Sequence, residues 1–242
     1  MREHAQPSRV PGAALLKNLV KKELLRSADA VAGVRICLLK SSLWAGSSSL
    51  AVARDPVTLV GSAQDRVRAS EMWNLEPGRY WFGVVGAVTA RKNLPLIAAA
   101  LAGLGSKNVG LVVAGKFSDD VRTVIPAVEA VLAESGVPLL VHDRLLEELE
   151  LDSLIGAVDC VVLAHSNEGS SGIMGKAAVS GTRIAAAGAR SLQADCRAIP
   201  SISEWAPLAV PEVTRLLAQT STLGRPTPYD GLSSRDFVSA LL

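Results

Sequence analysis

The chain of 242 residues is 49% hydrophobic and 20% charged, a balance that excludes intrinsic disorder, and its 20 Gly and 12 Pro are too few for collagen-like or low-complexity material. Its formal charge of +2 is nearly neutral, but residues 1–40 carry eight Lys/Arg against three Asp/Glu, so the basic excess is local. The longest uncharged apolar stretch, Leu94 to Gly105, falls short of the roughly 20 residues that a membrane helix needs and has Pro95 at its second position, so no transmembrane segment is expected.

In chain order, Leu15 to Ala30 has helical periodicity, Ser47 to Ser49 reads as a loop, and Arg66 to Leu75 as a short helix. Residues 1–76 therefore predict a partial, mostly helical segment and linker. From residue 80 onward, apolar runs of strand length alternate with helical patterns, the signature of βαβ units and a parallel sheet. The fold class predicted is α/β, a Rossmann-like parallel sheet with helices on both faces. Its first strand is Tyr80 to Gly86, continuously apolar as a doubly covered strand should be. A helix follows with Asn93 as its cap and Leu94, Ile97, Leu101 and Leu104 on one stripe. Val109 to Ala114 is the second strand. The next helix carries Val121, Val124, Val128, Val131 and Leu132 on one face, and Pro126 either kinks it or delays its start to Ile125. Strand Pro138 to Val141, an acidic helix facing the core through Leu146, Leu151, Leu154 and Ile155, and strand Cys160 to Ala164 come next. Strand Thr182 to Ala186 completes five, and a helical tail is expected from about Ser203. The domain boundaries read 1–76, 77–200 and 201–242.

Cys37, Cys160 and Cys196 match neither a disulfide framework nor a zinc pattern and read as reduced thiols. The N-terminus lacks the apolar core and cleavage site of a secretory signal, so a cytoplasmic location is expected. Its basic character leaves peripheral contact with an acidic membrane surface open. Nucleic acid is not expected as a partner, because no aromatic interleaving and no recognisable nucleic-acid module accompany the charge.

Ligands of an open parallel sheet bind outside the carboxyl ends of its strands, so the strand-to-helix loops are the places for a site. The loop from Gly86 to Asn93 sets Arg91 and Lys92 at the positive end of a helix, where the macrodipole opposes them by about 0.3–1 kcal/mol each. An anion between them and the helix would reverse that sign; the alternative is that both point into water. The loop from Ser166 to Gly172 offers helix-start amides at Ser170, Ser171, Gly172 and Ile173, small side chains, and the carboxylate of Glu168. That is a phosphate cradle in outline, although small residues before a helix are also ordinary capping chemistry. SSGIMGKA fails as a P-loop, since Ser170 replaces the first glycine and Ala177 the magnesium-binding hydroxyl. Gly83 and Gly86 have the wrong spacing for a dinucleotide fingerprint, and no GxSxG elbow occurs. His142 and His165 each end a strand, where structural roles are commoner than catalytic ones.

Five segments together resemble the donor-binding, C-terminal domain of retaining glycosyltransferases with the GT-B fold, in the large group 1 family related to sucrose, glycogen and mannosyl transferases. They are ARDPV at 53–57, FGVVGAVTARKNLPLIAAAL at 82–101, GLVVAGK at 110–116, VDCVVLAHSNEG at 158–169 and AAVSGTRIAA at 177–186. The resemblance implies two Rossmann-like domains, a nucleotide-diphosphate sugar held by the second as donor substrate, an acceptor of unknown identity held by the first, and no metal or other cofactor. It implies a diphosphate contact for Lys92, supported by Arg91 and Gly86, sugar hydroxyls at Glu168, phosphate at the amides of Ser170 to Ile173, and a base near His142. It departs at Lys176, which stands where the family's second glutamate meets the ribose, and at Ala87, where an arginine is usual. Losing a charge-assisted bond of about 1.5–3 kcal/mol at Lys176 weakens nucleotide binding unless Lys176 takes a phosphate instead.

Residues before 54 are expected to supply only the last helices of a preceding domain, which leaves three readings. The first is a retaining, hexosyltransferase-type donor domain, the second a non-catalytic glycosyltransferase-like binding or scaffolding domain, and the third a sugar-nucleotide epimerase of the same fold.

Overall fold

A computed structural model describes residues 19–20, 23–60, 66–231 and 237–238. Residues 15–18 and 21–22 of the expected first helix lie outside them, while 19–20 and 23–29 are helical. The first two strands, β1 (Cys37–Lys40) and β2 (Ala51–Arg54), pair in parallel. Helix α1 (Arg66–Met72) leads to β3 (Tyr80–Val85), a 3-10 turn (Ala90–Lys92) and α2 (Leu94–Ala102). Then follow β4 (Val109–Gly115), α3 (Asp119–Glu134), β5 (Leu139–Asp143), α4 (Glu148–Ala157) and β6 (Cys160–His165). The remaining elements are α5 (Gly172–Val179), β7 (Arg183–Gly188), α6 (Arg190–Ala198), β8 (Ser203–Ala206) and α7 (Val210–Ser221).

Strands β3 to β8 form one parallel sheet in the order β5-β4-β3-β6-β7-β8. Alternation along each strand sends side chains into two cores. Phe82 and Val84 pack with Leu94, Ile97 and Leu101 of α2, Val128 and Leu132 of α3, and Val213 and Leu217 of α7. Trp81 and Val85 face the opposite layer with Leu154 and Ile155 of α4, Met174 and Ala177 of α5, and Leu192 of α6. All seven residues of β4 are buried, which explains why it reads as a continuous apolar run.

Three expectations need correction. The stretch from Ser203 is not helical from its start, because β8 adds a sixth strand beside β7 before α7 begins. It is a four-residue edge strand with Glu204 and Trp205 half-buried, too short and too mixed to carry a strand pattern. The N-terminal third contains the β1–β2 pair, again four residues each. Asn93 does not cap α2 through its side chain; it adopts a left-handed φ of 50° and sends Nδ2 elsewhere. The Pro126 alternative resolves as one unbroken helix, since burial of Val121, Val128 and Leu132 on both sides outweighs the lost amide, a cost of about 3 kcal/mol. Among the described residues no helix is long and apolar enough to cross a membrane, and all three cysteines are free.

The ends of β3 and β4 touch through backbone. Gly115 has φ 133°, and a Cβ built on it would stand 1.9 Å from the Gly86 carbonyl oxygen. Gly115→Ala is expected to cost about 2 kcal/mol or more and lower the thermal midpoint by about 4–8 °C, measured by calorimetry, whereas an alanine at Gly105, where a Cβ meets nothing within 4 Å, costs less despite its φ of 63°.

Candidate functional site at the ends of β3 and β6

Chain order reverses between β3 and β6, the topological switch at which ligands of parallel sheets bind. These strands pair only at Phe82 with Cys160 and Gly83 with Val161, whereas β3 and β4 stay paired over six residue couples. Toward their carboxyl ends the two strands part. The loop after β3 fills the gap: Asn93 Nδ2 donates to the Ala164 carbonyl at 2.8 Å, and the Ser166 amide donates to the Arg91 carbonyl at 3.0 Å. Its other margin is held to the β4 extension by Val88 N–H to Lys116 O and Ser118 N–H to Val88 O, both at 3.0 Å.

This stapling turns Lys92 inward. Lys92 is buried, and its ammonium donates to the Val85 carbonyl at the end of β3. Gly86 sits beside it with φ 89°, and a Cβ there would lie 3.8 Å from Lys92 Nζ and 3.4 Å from Ile173 Cδ1. Lys92 and Ile173 at the start of α5 thus converge on one glycine. Burial and the neighbouring Arg91 lower the Lys92 pKa to about 8. No carboxylate pairs with Lys92 or Arg91 among the described residues. Arg91 itself is exposed.

At α5, Ser171 is the N-cap and its Oγ accepts from Met174 N at 3.4 Å. The amides of Gly172 and Ile173 belong to the first turn, which has no intrahelical acceptors. A Cβ at Gly169 or Gly172 would meet nothing within 4 Å, so both stand clear, and Ser170 is exposed. Glu168 turns toward α6: its oxygens accept from the Arg190 amide at 3.0 Å and the Ser191 amide at 2.8 Å, which holds its carboxyl below the usual range. Ser191 Oγ reinforces the contact, accepting from Gly169 N at 3.2 Å and donating to Gly169 O at 3.0 Å.

No family model matches the chain, and no curated protein is similar to it in sequence. Solved structures are similar in fold. Sucrose-phosphate synthase from Thermosynechococcus elongatus superposes with a TM-score of 0.65 at 19% identity, over 96% of this chain and 59% of that one. HepE of Anabaena, solved with UDP and glucose, gives 0.56 at 12% identity, over 78% of this chain and 51% of that one. The C-terminal domain of LpcC, a group 1 glycosyl transferase from Francisella tularensis, gives 0.54 at 18% identity, over 68% of this chain and 86% of that domain. The fold is that of a GT-B C-terminal domain. The chain spans 59% of the synthase and 51% of HepE, and it covers most of the isolated LpcC domain.

Within this GT-B domain, two residues expected to meet ligand have other partners. Lys176 Nζ donates to Asp152 Oδ1 at 2.6 Å, Glu148 Oε2 at 2.9 Å and the Thr58 carbonyl at 3.0 Å, and the acids raise its pKa against the opposing effect of burial. Asp152 Oδ2 accepts from the Val60 amide at 2.7 Å. The cluster therefore ties α4 and α5 to the segment after β2, and all three Lys176 donors are used. His142 packs edge-on against Trp73, ring centroids 5.1 Å apart at 81°, and its pKa is lowered by burial and then by Arg144. Two features escape a sequence reading. Asn93 acts as a cross-strand staple, and His165 stands near Lys92 and Arg91 with its Nε2 buried and unpartnered. Glu148 and Asp152, four apart on an acidic helix, carried a weak signal for a basic partner.

Asp152 is buried and Lys176 nearly so, and a buried charge left alone is costly. Asp152→Ala is expected to cost about 3–5 kcal/mol in urea unfolding, and Lys176→Met combined with Asp152→Leu to recover most of it.

Proposed function

We propose that the chain is the donor-binding part of a retaining glycosyltransferase that holds a nucleotide-diphosphate sugar by its diphosphate and passes the sugar to an acceptor hydroxyl. The observation that carries this reading is the Lys92 ammonium, buried at the switch point with one carbonyl partner and no carboxylate among the described residues, beside Gly86 and the first turn of α5. A buried cation without an anion is costly, and a diphosphate supplies the missing charge. HepE, of the same fold, was solved with UDP and glucose.

In this reading Lys92, with Arg91 at the rim, faces the departing diphosphate while the amides of Ser171 to Ile173 donate to its oxygens. Charge that builds on the leaving group meets fixed donors that need no reorganisation. The bond from the anomeric carbon to the phosphate oxygen breaks as the acceptor oxygen bonds to the same face, and the acceptor proton passes to the leaving phosphate. Glu168 positions the sugar. Its carboxylate offers about four acceptor sites, two of which hold the α6 amides, so sugar hydroxyls can donate to the others.

A non-catalytic binding or scaffolding domain is the second reading. It is favoured by Lys176, which is consumed by Asp152 and Glu148 and accepts nothing from a ribose. Transfer or hydrolysis of a nucleotide sugar by this chain would refute it.

Calorimetry with UDP and GDP tests the leading reading. Lys92→Ala should weaken binding about 10- to 100-fold, in keeping with a charge-assisted contact of about 1.5–3 kcal/mol. Because the free ammonium titrates near pH 8 and the bound diphosphate favours its charged form, affinity should hold below pH 8 and fall as pH rises through it, by up to about tenfold per unit. Unchanged binding in Lys92→Ala, or affinity flat from pH 7 to 9, would exclude Lys92 from the site.

A further inference from the structure

His165 ends β6 beside the strand gap that the loop after β3 fills. Along β6, Cys160, Val162 and Ala164 face the α2 and α3 core, while Val161 and Leu163 face the layer of α4, α5 and α6. Alternation places His165 with the second set, on the face that α5 covers. Its Nε2 is buried and meets no hydrogen-bond partner. A buried polar atom left unpaired costs about 1–3 kcal/mol, so the position invites a polar partner that the described residues do not supply.

Among the described residues, the charges that act on the ring have one sign. Lys92 and Arg91 come from the loop after β3 and act on it directly. From its own loop, the Glu168 carboxylate is committed to the α6 amides beside Arg190, and Lys176 on α5 is neutralised by Asp152 and Glu148. Burial first, then Lys92 and Arg91, lower the His165 pKa to about 4, so the ring is neutral near pH 7. An anion seated beside Lys92 and Arg91 offsets the two charges that add to burial in keeping it so, and gives the charged ring a partner.

We infer that His165 is a third anion-binding residue at this switch point: it takes a proton from solvent as a phosphate-bearing ligand enters beside Lys92, then donates from Nε2 to a phosphate oxygen. The inference rests on the diphosphate reading of Lys92. It makes ligand binding proton-linked on the acid side, where Lys92 is already fully charged.

The probe is inorganic pyrophosphate, and the primary readout is the His165 ring signal in proton NMR followed from pH 8 to 5. His4→Gln and His142→Gln assign it without altering His165. In the free protein the signal should not titrate above pH 5; with saturating pyrophosphate its midpoint should rise toward the ordinary histidine value of about 6.5. Correspondingly, the affinity ratio of wild type to His165→Gln should grow from about one at pH 8 to about tenfold at pH 5.5, the variant serving as control for the titration of pyrophosphate itself. If pyrophosphate binds but leaves the His165 midpoint unmoved, His165 has no part in the site and the Lys92 reading stands. If pyrophosphate does not bind at millimolar concentration, both fall together.

Discussion

The parting of β3 from β6 is the constraint from which the rest of the site follows. Two strands that separate after Gly83 and Val161 leave backbone donors and acceptors that must be satisfied at the sheet's edge. Asn93 and Ser166 meet that need by bonding across the gap, and Asn93 takes a left-handed backbone to do so. The residue just before it, Lys92, is thereby carried under the loop to the last carbonyl of β3. Gly86 and Gly115 are the other half of this arrangement: the first holds a φ of 89° beside the ammonium and Ile173, and the second lets the β3 and β4 ends touch.

Electrostatically, the switch point is defined by where the described carboxylates are not. Glu168 is spent on the start of α6, Asp152 and Glu148 on Lys176, and Asp143 on Arg122 and the Phe117 amide. Each of these acids has its own local partners, which leaves Lys92 beside Gly86 and Ile173 of the first turn of α5 without a carboxylate among the described residues. In a partly desolvated site such a charge interacts with an anion several-fold more strongly than it would in water. Burial first, and the neighbouring positive charge second, depress the pKa values of both Lys92 and His165.

Sequence and structure diverge in instructive places. Lys176 resembles a residue in search of phosphate when read in line with Gly172, because four residues along the helix is all that the sequence displays. Its partners lie 24 and 28 positions earlier on another helix, and a third is a carbonyl 118 positions away. His142 and His165 look equivalent as strand-terminal histidines. Register separates them, since β5 is the outer strand and gives His142 to Trp73, whereas β6 borders the gap and gives His165 to Lys92.

The sequence by itself determined the α/β class, the central strands, the helix stripes and the two loops that border the crevice, because burial on two faces and helical periodicity are local patterns written over 5 to 16 neighbouring residues. It could not determine the short strands β1, β2 and β8, which hold four residues each and exist because a neighbour supplies their hydrogen bonds. Nor could it say which charges meet. Only the tertiary structure decided that Lys92 stays unpaired while Lys176 is neutralised, because a Coulomb interaction depends on distance in space, and the folding of the sheet, not the spacing along the chain, sets that distance.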